Sequence, residues 1–151
     1  MEFVVRRLSA DDAEIAVGLV GELSAKSVSP EYMRRLLSNA ANYLFAAHVD
    51  GRPAGFLFAH RLERLKEESY KLFVYEVDVA AAYRRMGIGT ALMERVKMTV
   101  ENESMICAFV FTDYRNRGAV EFYKSTGGVP ENGDDLMFVY SRRTLNPSAA
   151  D

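Results

Sequence analysis

The dipeptide Asp50-Gly51 falls between two apolar, aromatic-rich runs, residues 43–49 and 53–62. Asp-Gly is a favoured pair for a two-residue β-hairpin, whose turn positions call for positive φ. The two runs are therefore read as antiparallel strands joined by a tight turn. A charged connection, residues 63–69, leads into a third run over 71–79 that holds Leu72, Val74, Val77 and Val79. Together the three read as an antiparallel meander.

The period differs on either side of the meander. Residues 2–8 are short, apolar and β-rich, and read as a first strand. Ser9 is placed to cap a helix, with Asp11 and Asp12 in its first turn, where the helix dipole favours anions. Ile15, Leu19, Val20 and Leu23 follow at helical spacing to about Ala25. Ser29 and Pro30 open a second helix, with Tyr32, Met33, Leu36 and Leu37 as its apolar face. After the meander, a loop over 80–87 leads into an amphipathic helix from about Gly89 to Glu101, with Leu92, Val96 and Val100 on one face. Residues 105–112 are nearly unbroken in apolar character, as expected of a strand buried on both faces. A helix over 116–126, with Ala119, Val120, Phe122 and Tyr123 inward, ends at Gly127-Gly128. Residues 136–140 read as a last strand. The order β-α-α-β-β-β-α-β-α-β defines an α/β (α+β) domain. Its central sheet is mixed and mostly antiparallel, flanked by helices, with one strand–helix–strand unit at its centre.

Composition narrows the class without naming a chemistry. Of 151 residues, 49% are hydrophobic and 26% charged, which suits one soluble globular domain and not a disordered chain. The domain is expected over residues 1–143, with a tail over 144–151. Cys107 is the single cysteine, so neither a disulfide scaffold nor a thiolate metal cage is available. His48 and His60 form no metal-spaced pair, and no metal is assigned. A net charge of −2 is a poor profile for gripping nucleic acid. Residues 1–8 lack an apolar signal-peptide core, and no apolar run approaches bilayer length. The expectation is a cytoplasmic protein with neither nucleic-acid nor membrane partners.

The most informative stretch for chemistry is a strand, a two-glycine loop and a helix over residues 77–92. Within it, Arg84-Arg85-Met86-Gly87-Ile88-Gly89-Thr90 precedes the helix. Unpaired N–H groups and the dipole at a helix start suit a phosphate or pyrophosphate. Gly87 and Gly89 let the backbone approach a ligand, and Arg84 and Arg85 can add charge-assisted bonds. A third glycine of the dinucleotide fingerprint is absent, as is the Gly-Lys-Ser/Thr of a P-loop. Taken alone, Gly-Ile-Gly is equally a plain tight turn. A second constellation, Asn116-Arg117-Gly118-Ala119-Val120-Glu121-Phe122-Tyr123, opens the helix after the apolar strand. There Asn116 is a natural cap, and Tyr123 taken alone reads as core.

Together the two constellations resemble the GNAT superfamily of acyl-CoA-dependent N-acetyltransferases. Its Arg/Gln-x-x-Gly-x-Gly/Ala loop corresponds to Arg84 to Gly89, and its Asn-x-x-Ala-x-x-Phe/Leu-Tyr motif to Asn116 to Tyr123. The element order agrees over nearly the whole chain. A finer resemblance is to the small aminoglycoside 3-N-acetyltransferases. It rests on Tyr75-Glu76, on Asp113-Tyr114 and on the acidic pair Asp134-Asp135, over residues 32–140. The chain departs from that group at Arg115-Asn116-Arg117, which is basic where those enzymes are acidic.

The resemblance implies direct transfer of an acetyl group from acetyl-CoA to a primary amine. Glu76 or Asp78 would serve as general base, Glu76 being preferred, and a regular strand puts both on one face. Tyr123 would protonate the leaving thiolate. The backbone of Val77 and Val79 would hold the pantetheine arm on a splayed strand edge. Arg84, Arg85, Met86, Gly87, Ile88, Gly89 and Thr90 would hold the pyrophosphate, and Asn116 would bond the pantetheine or support the adjoining loop. Asp113, Asp134 and Asp135 would line an anionic pocket for a cationic, small-molecule acceptor. Acetylation of a protein or peptide amine, and a non-catalytic CoA-binding module, are the alternatives. A homodimer through the C-terminal strands is compatible with the resemblance.

Overall fold

The computed structural model describes residues 2–131, 133, 137, 138 and 140–142. One sheet contains β1 (Phe3–Arg7), β2 (Asn42–Val49), β3 (Arg52–Glu63), β4 (Tyr70–Val79) and β5 (Ala108–Val110), in sequential order. Its first four strands are antiparallel, and β5 runs parallel to β4. The sheet is flanked by α1 (Ala13–Ser24), α2 (Pro30–Ser38), α3 (Ile88–Asn102) and α4 (Arg117–Ser125). No helix among the described residues is long and apolar enough to cross a membrane.

Local chemistry accounts for the element boundaries. Asp50 and Gly51 both take positive φ, 49° and 77°, as the short β2–β3 turn requires. The Ser29 side chain accepts the Tyr32 N–H at 3.1 Å, and Pro30 occupies the first turn of α2. The entry to α1 is more elaborate than a single cap. Residues Ala10–Asp12 form a 3-10 turn, and the Asp12 carboxylate accepts the Ser9 N–H at 2.8 Å while pairing with Arg6 at 3.1 Å.

Alternation along β2 supplies two cores. Tyr43, Phe45, Ala47 and Val49 face α3, where they pack with Leu57, Leu72, Val74, Leu92 and Val96. Leu44 and Ala46 face the other way and pack with Leu19, Met33, Leu37 and Phe56. Ile15 and Tyr32, expected on apolar helix faces, are exposed instead. The small residues Ala13 and Ala16 take the buried positions of α1 beside Leu19, and Tyr32 lies under the Arg35 guanidinium at 5.3 Å.

The C-terminal part departs most from expectation. The apolar run over 105–112 yields only three residues of strand, all half-buried, and Phe111 is exposed. β5 pairs with Leu72–Val74 of β4 and has no second strand beside it among the described residues. Among the described residues it is an edge, and its three residues are half-buried. Of the expected last strand, Leu136 and Val139 lie outside the described residues, and Met137, Phe138 and Tyr140 are exposed and in no strand. The expected tail over 144–151 also lies outside the described residues.

Candidate functional site

The site begins with an irregularity in β4. Its pairing with β3 shifts between Phe58 and Ala59, which face Glu76 and Val74 respectively. Tyr75 is therefore an extra residue, a β-bulge. On the N-terminal side of it Leu72 and Val74 point into the α3 core; on the far side Val77 and Val79 do so. Glu76 and Asp78 share the opposite face, beside Phe58 and Phe56. They share a face as expected, but in a strand that is bulged just before them. The signal was present in the apolar pattern 72, 74, 77, 79, which breaks period two at the bulge.

The bulge also turns the backbone. Leu72 donates its N–H to Cys107 O, toward β5, at 3.0 Å, whereas Ala80 donates to Ala54 O, toward β3, at 2.8 Å. Alternation then directs the N–H groups of Glu76 and Asp78 toward β3, and those of Val77 and Val79 toward the β5 side. Because β5 pairs with β4 only as far as Val74, Val77 and Val79 present their N–H groups to an edge without a strand partner among the described residues.

That edge runs into the two-glycine loop. Arg85 and Gly87 both have positive φ, 62° and 87°. Gly87 is the N-cap of α3 and its carbonyl accepts the Ala91 N–H at 2.9 Å. No side chain caps this helix, so Ile88, Gly89 and Thr90 present unpaired N–H groups at its start. Gly89 also has a packing role. A Cβ there would lie 3.1 Å from the Phe122 ring, so its smallness lets α4 dock on α3. Arg84 is also partly committed, since its Nε donates to Val79 O at 3.1 Å and so braces the end of β4. Arg85 and Met86 are exposed.

α4 brings the second motif to the same end of the sheet. The Asn116 side chain accepts the Ala119 N–H at 3.2 Å, which is a helix cap and leaves its amide NH2 available. Tyr123 is half-buried, 5.3 Å from the Phe122 ring, and burial raises its phenol above the ordinary value of 10. Asp113 does not stand free. Arg115 grips its carboxylate through Nε at 3.1 Å and Nη2 at 2.8 Å, and the Arg115 N–H adds a third bond at 2.8 Å. That grip holds Asp113 at a pKa of about 2. The basic departure at Arg115 thus engages an acid expected to meet the acceptor. Asp134 and Asp135 lie outside the described residues, although Gly133, beside them in sequence, lies close to the Tyr114 hydroxyl.

A bulged strand with an open edge, running into an uncapped helix through a two-glycine turn, defines a site for an extended, phosphorylated ligand. The chain belongs to the acetyltransferase (GNAT) family, whose model matches residues 13–127. An aminoglycoside acetyltransferase from an uncultured soil metagenomic sample, meta-AAC0020, has a similar structure. It is 25% identical, with a TM-score of 0.82, over 92% of this chain and 95% of that one. The CoA complex of the aminoglycoside N-acetyltransferase AAC(6')-Iy shares the fold at a TM-score of 0.76 and 18% identity, over 93% of this chain and 95% of that one. In sequence, an uncharacterized N-acetyltransferase of Methanocaldococcus jannaschii, MJ1207, is 26% identical over 101 residues. The match takes in 64% of this chain and 43% of that longer protein.

Proposed function

We propose that the chain is an N-acetyltransferase that moves the acetyl group of acetyl-CoA to a primary amine on a small cationic acceptor, of the aminoglycoside class. The observation that carries this reading is the β4 edge at Val77 and Val79, whose N–H groups have no strand partner among the described residues, leading to a start of α3 without a side-chain cap. An extended amide chain with a pyrophosphate at one end fits that arrangement: the edge receives the amides as an added strand would, and the helix start receives the anion. Ile88, Gly89 and Thr90 supply the N–H groups, Arg85 a nearby cation, and Asn116 its free amide. Arg84 braces the strand that the arm would join. Acetyl-CoA, when bound, supplies an activated acyl thioester.

The side chains divide the proton work. An alkyl ammonium must lose a proton before its nitrogen can attack, and Glu76 takes it directly or through water, with Asp78 as the second candidate. Both lie on the face opposite the α3 core, where Glu76 is exposed and Asp78 half-buried. The N–H groups of Val77 and Val79 stand ready for negative charge on the acyl oxygen. Tyr123 holds the proton that the departing sulfur needs, and its burial keeps the phenol protonated at neutral pH. Asp134 and Asp135 would complete the anionic surface, and the proposed position of transfer is the acceptor's 3-amine. The domain is proposed to span 1–143, to work in the cytoplasm and to form a homodimer.

The test is release of free CoA thiol from acetyl-CoA by the purified protein, with a panel of aminoglycosides, polyamines and short peptides. Rapid release with an aminoglycoside and a product heavier by one acetyl group supports the reading, and fragmentation of the product locates the amine. Turnover confined to peptides would replace the acceptor class. Acetyl-CoA binding without turnover on any amine would make the chain a binding module.

A further inference from the structure

The face that carries Glu76 and Asp78 also carries a connected series of rings. Phe58 and His60 meet edge-on at 4.7 Å, His60 and Tyr75 at 5.8 Å, and Tyr75 and Phe73 at 5.5 Å. Phe73 stacks on Phe109 at 5.0 Å and meets Phe111 at 5.9 Å. α1 and α2 cover the β2 side of this face, with Phe56 and Phe58 under them. Phe73, Tyr75, Phe109 and Phe111 join neither core, and Tyr75 and Phe111 are 59% and 69% exposed.

His60 is the ring in this series with a basic nitrogen, and its proton can be placed by elimination. The Asn42 side-chain amide lies 2.9 Å from Leu36 O. A carbonyl can only accept, so the atom facing it is the NH2 group. The other Asn42 atom is then the oxygen, an acceptor, and it lies 2.8 Å from His60 Nδ1. Nδ1 must therefore carry the hydrogen. In the neutral ring, Nε2 is left with a lone pair and has no hydrogen-bond partner among the described residues. His60 is two residues from Phe58, the β3 partner of Glu76, so His60 and Glu76 share one face of the sheet on neighbouring strands.

We propose that His60 is a specificity-determining residue of the acceptor site. Its Nε2 accepts a hydrogen bond from a second donor group on the acceptor, while the rings of Tyr75, Phe73 and Phe111 support the acceptor's apolar face. The class this selects is a cyclic polyamine with hydrophobic C–H faces, an amino sugar or aminocyclitol. A linear peptide is not of this class. Asn42 is a positioning residue that acts through the ring. The inference rests on the acetyltransferase reading.

Two substitutions separate Nε2 from Nδ1. His60→Asn keeps a donor near the Nδ1 position and removes Nε2; His60→Gln places an acceptor near Nε2. Acceptor KM, acetyl-CoA KM and kcat are measured with the aminoglycoside that the wild type turns over fastest, and with cyclohexylamine, which lacks a second donor. H60N is expected to raise the aminoglycoside KM about three- to tenfold, the range of one hydrogen bond. Its acetyl-CoA KM and its KM for cyclohexylamine should not move, and H60Q should recover most of the loss. Wild-type behaviour of H60N, equal effects on both amines, or H60Q no better than H60N overturns the proposal. Nitrogen-15 spectra of the unmutated protein give a check independent of turnover, with the Nδ1–H tautomer expected and the Nε2–H tautomer overturning the assignment. Failure of the underlying reading would appear separately, as no turnover by the unmutated chain on any amine, and would remove the inference with it.

Discussion

Gly87 and Gly18 predict opposite outcomes for the same chemical change. A Cβ built at either position meets nothing within 4 Å, so steric crowding plays no part in the comparison. Gly18 lies inside α1, where alanine gains about 0.5–1 kcal/mol over glycine. Gly87 has φ of 87°, where an L side chain costs roughly 1–2 kcal/mol. Restricting the unfolded chain returns about 0.4–1 kcal/mol of that. The net cost of Gly87→Ala is about 1 kcal/mol, or a fall in Tm of about 2–4 °C in a domain of this size. Gly18→Ala should raise Tm by a similar or smaller amount. Thermal unfolding followed by circular dichroism reads both. The functional half of the prediction follows from the position of Gly87 as the α3 N-cap. A loop that relaxes the strain rotates the N–H groups of Ile88 and Gly89, so acetyl-CoA KM should rise severalfold while kcat changes little. Gly87→Asn should fall between glycine and alanine, because asparagine tolerates the left-handed region. A Gly87→Ala protein that melts at or above the wild-type temperature with unchanged acetyl-CoA KM would show that the loop does not depend on this left-handed turn.

Four further outcomes are expected. Glu76→Gln should lower kcat by about two orders of magnitude, with calorimetric acetyl-CoA affinity unchanged; full activity would pass the role of base to Asp78 or water. Tyr123→Phe should lower kcat by about one to three orders, and a variant at full rate would return Tyr123 to a packing role. Arg115→Ala removes the guanidinium bonds to the Asp113 carboxylate and leaves only the backbone N–H bond, so KM for a polycationic acceptor should fall about two- to fivefold, consistent with a weak exposed pair; a rise would place Arg115 in acceptor binding. Asp12 is held at a pKa of about 2 by Arg6 and the Ser9 N–H. A depressed carboxyl stabilises the fold above its unfolded pKa and loses that contribution as pH falls from about 4 toward 2. Arg6→Ala should cost about 1 kcal/mol or less at pH 7, and its Tm difference from wild type should shrink at pH 2.5.

The elements that were legible from sequence are those set by local chemistry. Asp50-Gly51, Ser29-Pro30 and the Leu92–Val96–Val100 stripe each act within a few residues, so they appear in the chain as written. What was not legible depends on distant partners. The run over 105–112 is apolar enough for a central strand, yet among the described residues β5 pairs on one side only, and no local signal reports which neighbours a strand has. Gly89 reads as a phosphate-loop glycine in sequence, and its packing against Phe122, thirty-three positions later, is not visible there. The Asn42 amide that orients His60 is likewise tertiary. His60 looked unremarkable in sequence because its partner lies on a neighbouring strand.

The placement of the carboxylates follows from the core and not from the chemistry they are proposed to do. Leu72 and Val74 set the inward phase of β4. A strand continued in that phase would drive Glu76 and Asp78 into the α3 core and turn Val77 and Val79 out. Burying each unpaired carboxylate costs several kcal/mol, and each valine left in water forfeits roughly 1.5 kcal/mol or more. Against this, one bulged residue sacrifices local ladder pairing, on the order of 1 kcal/mol per hydrogen bond. The bulge at Tyr75 is therefore the cheaper arrangement by a wide margin. Its consequence is that the acids face away from the α3 core while the N–H groups of Val77 and Val79 turn to the side of β4 that β5 covers only as far as Val74. The phase break between Val74 and Val77 thus specifies, through hydrophobic burial alone, both the carboxylate face and the backbone edge on which the proposed reaction depends.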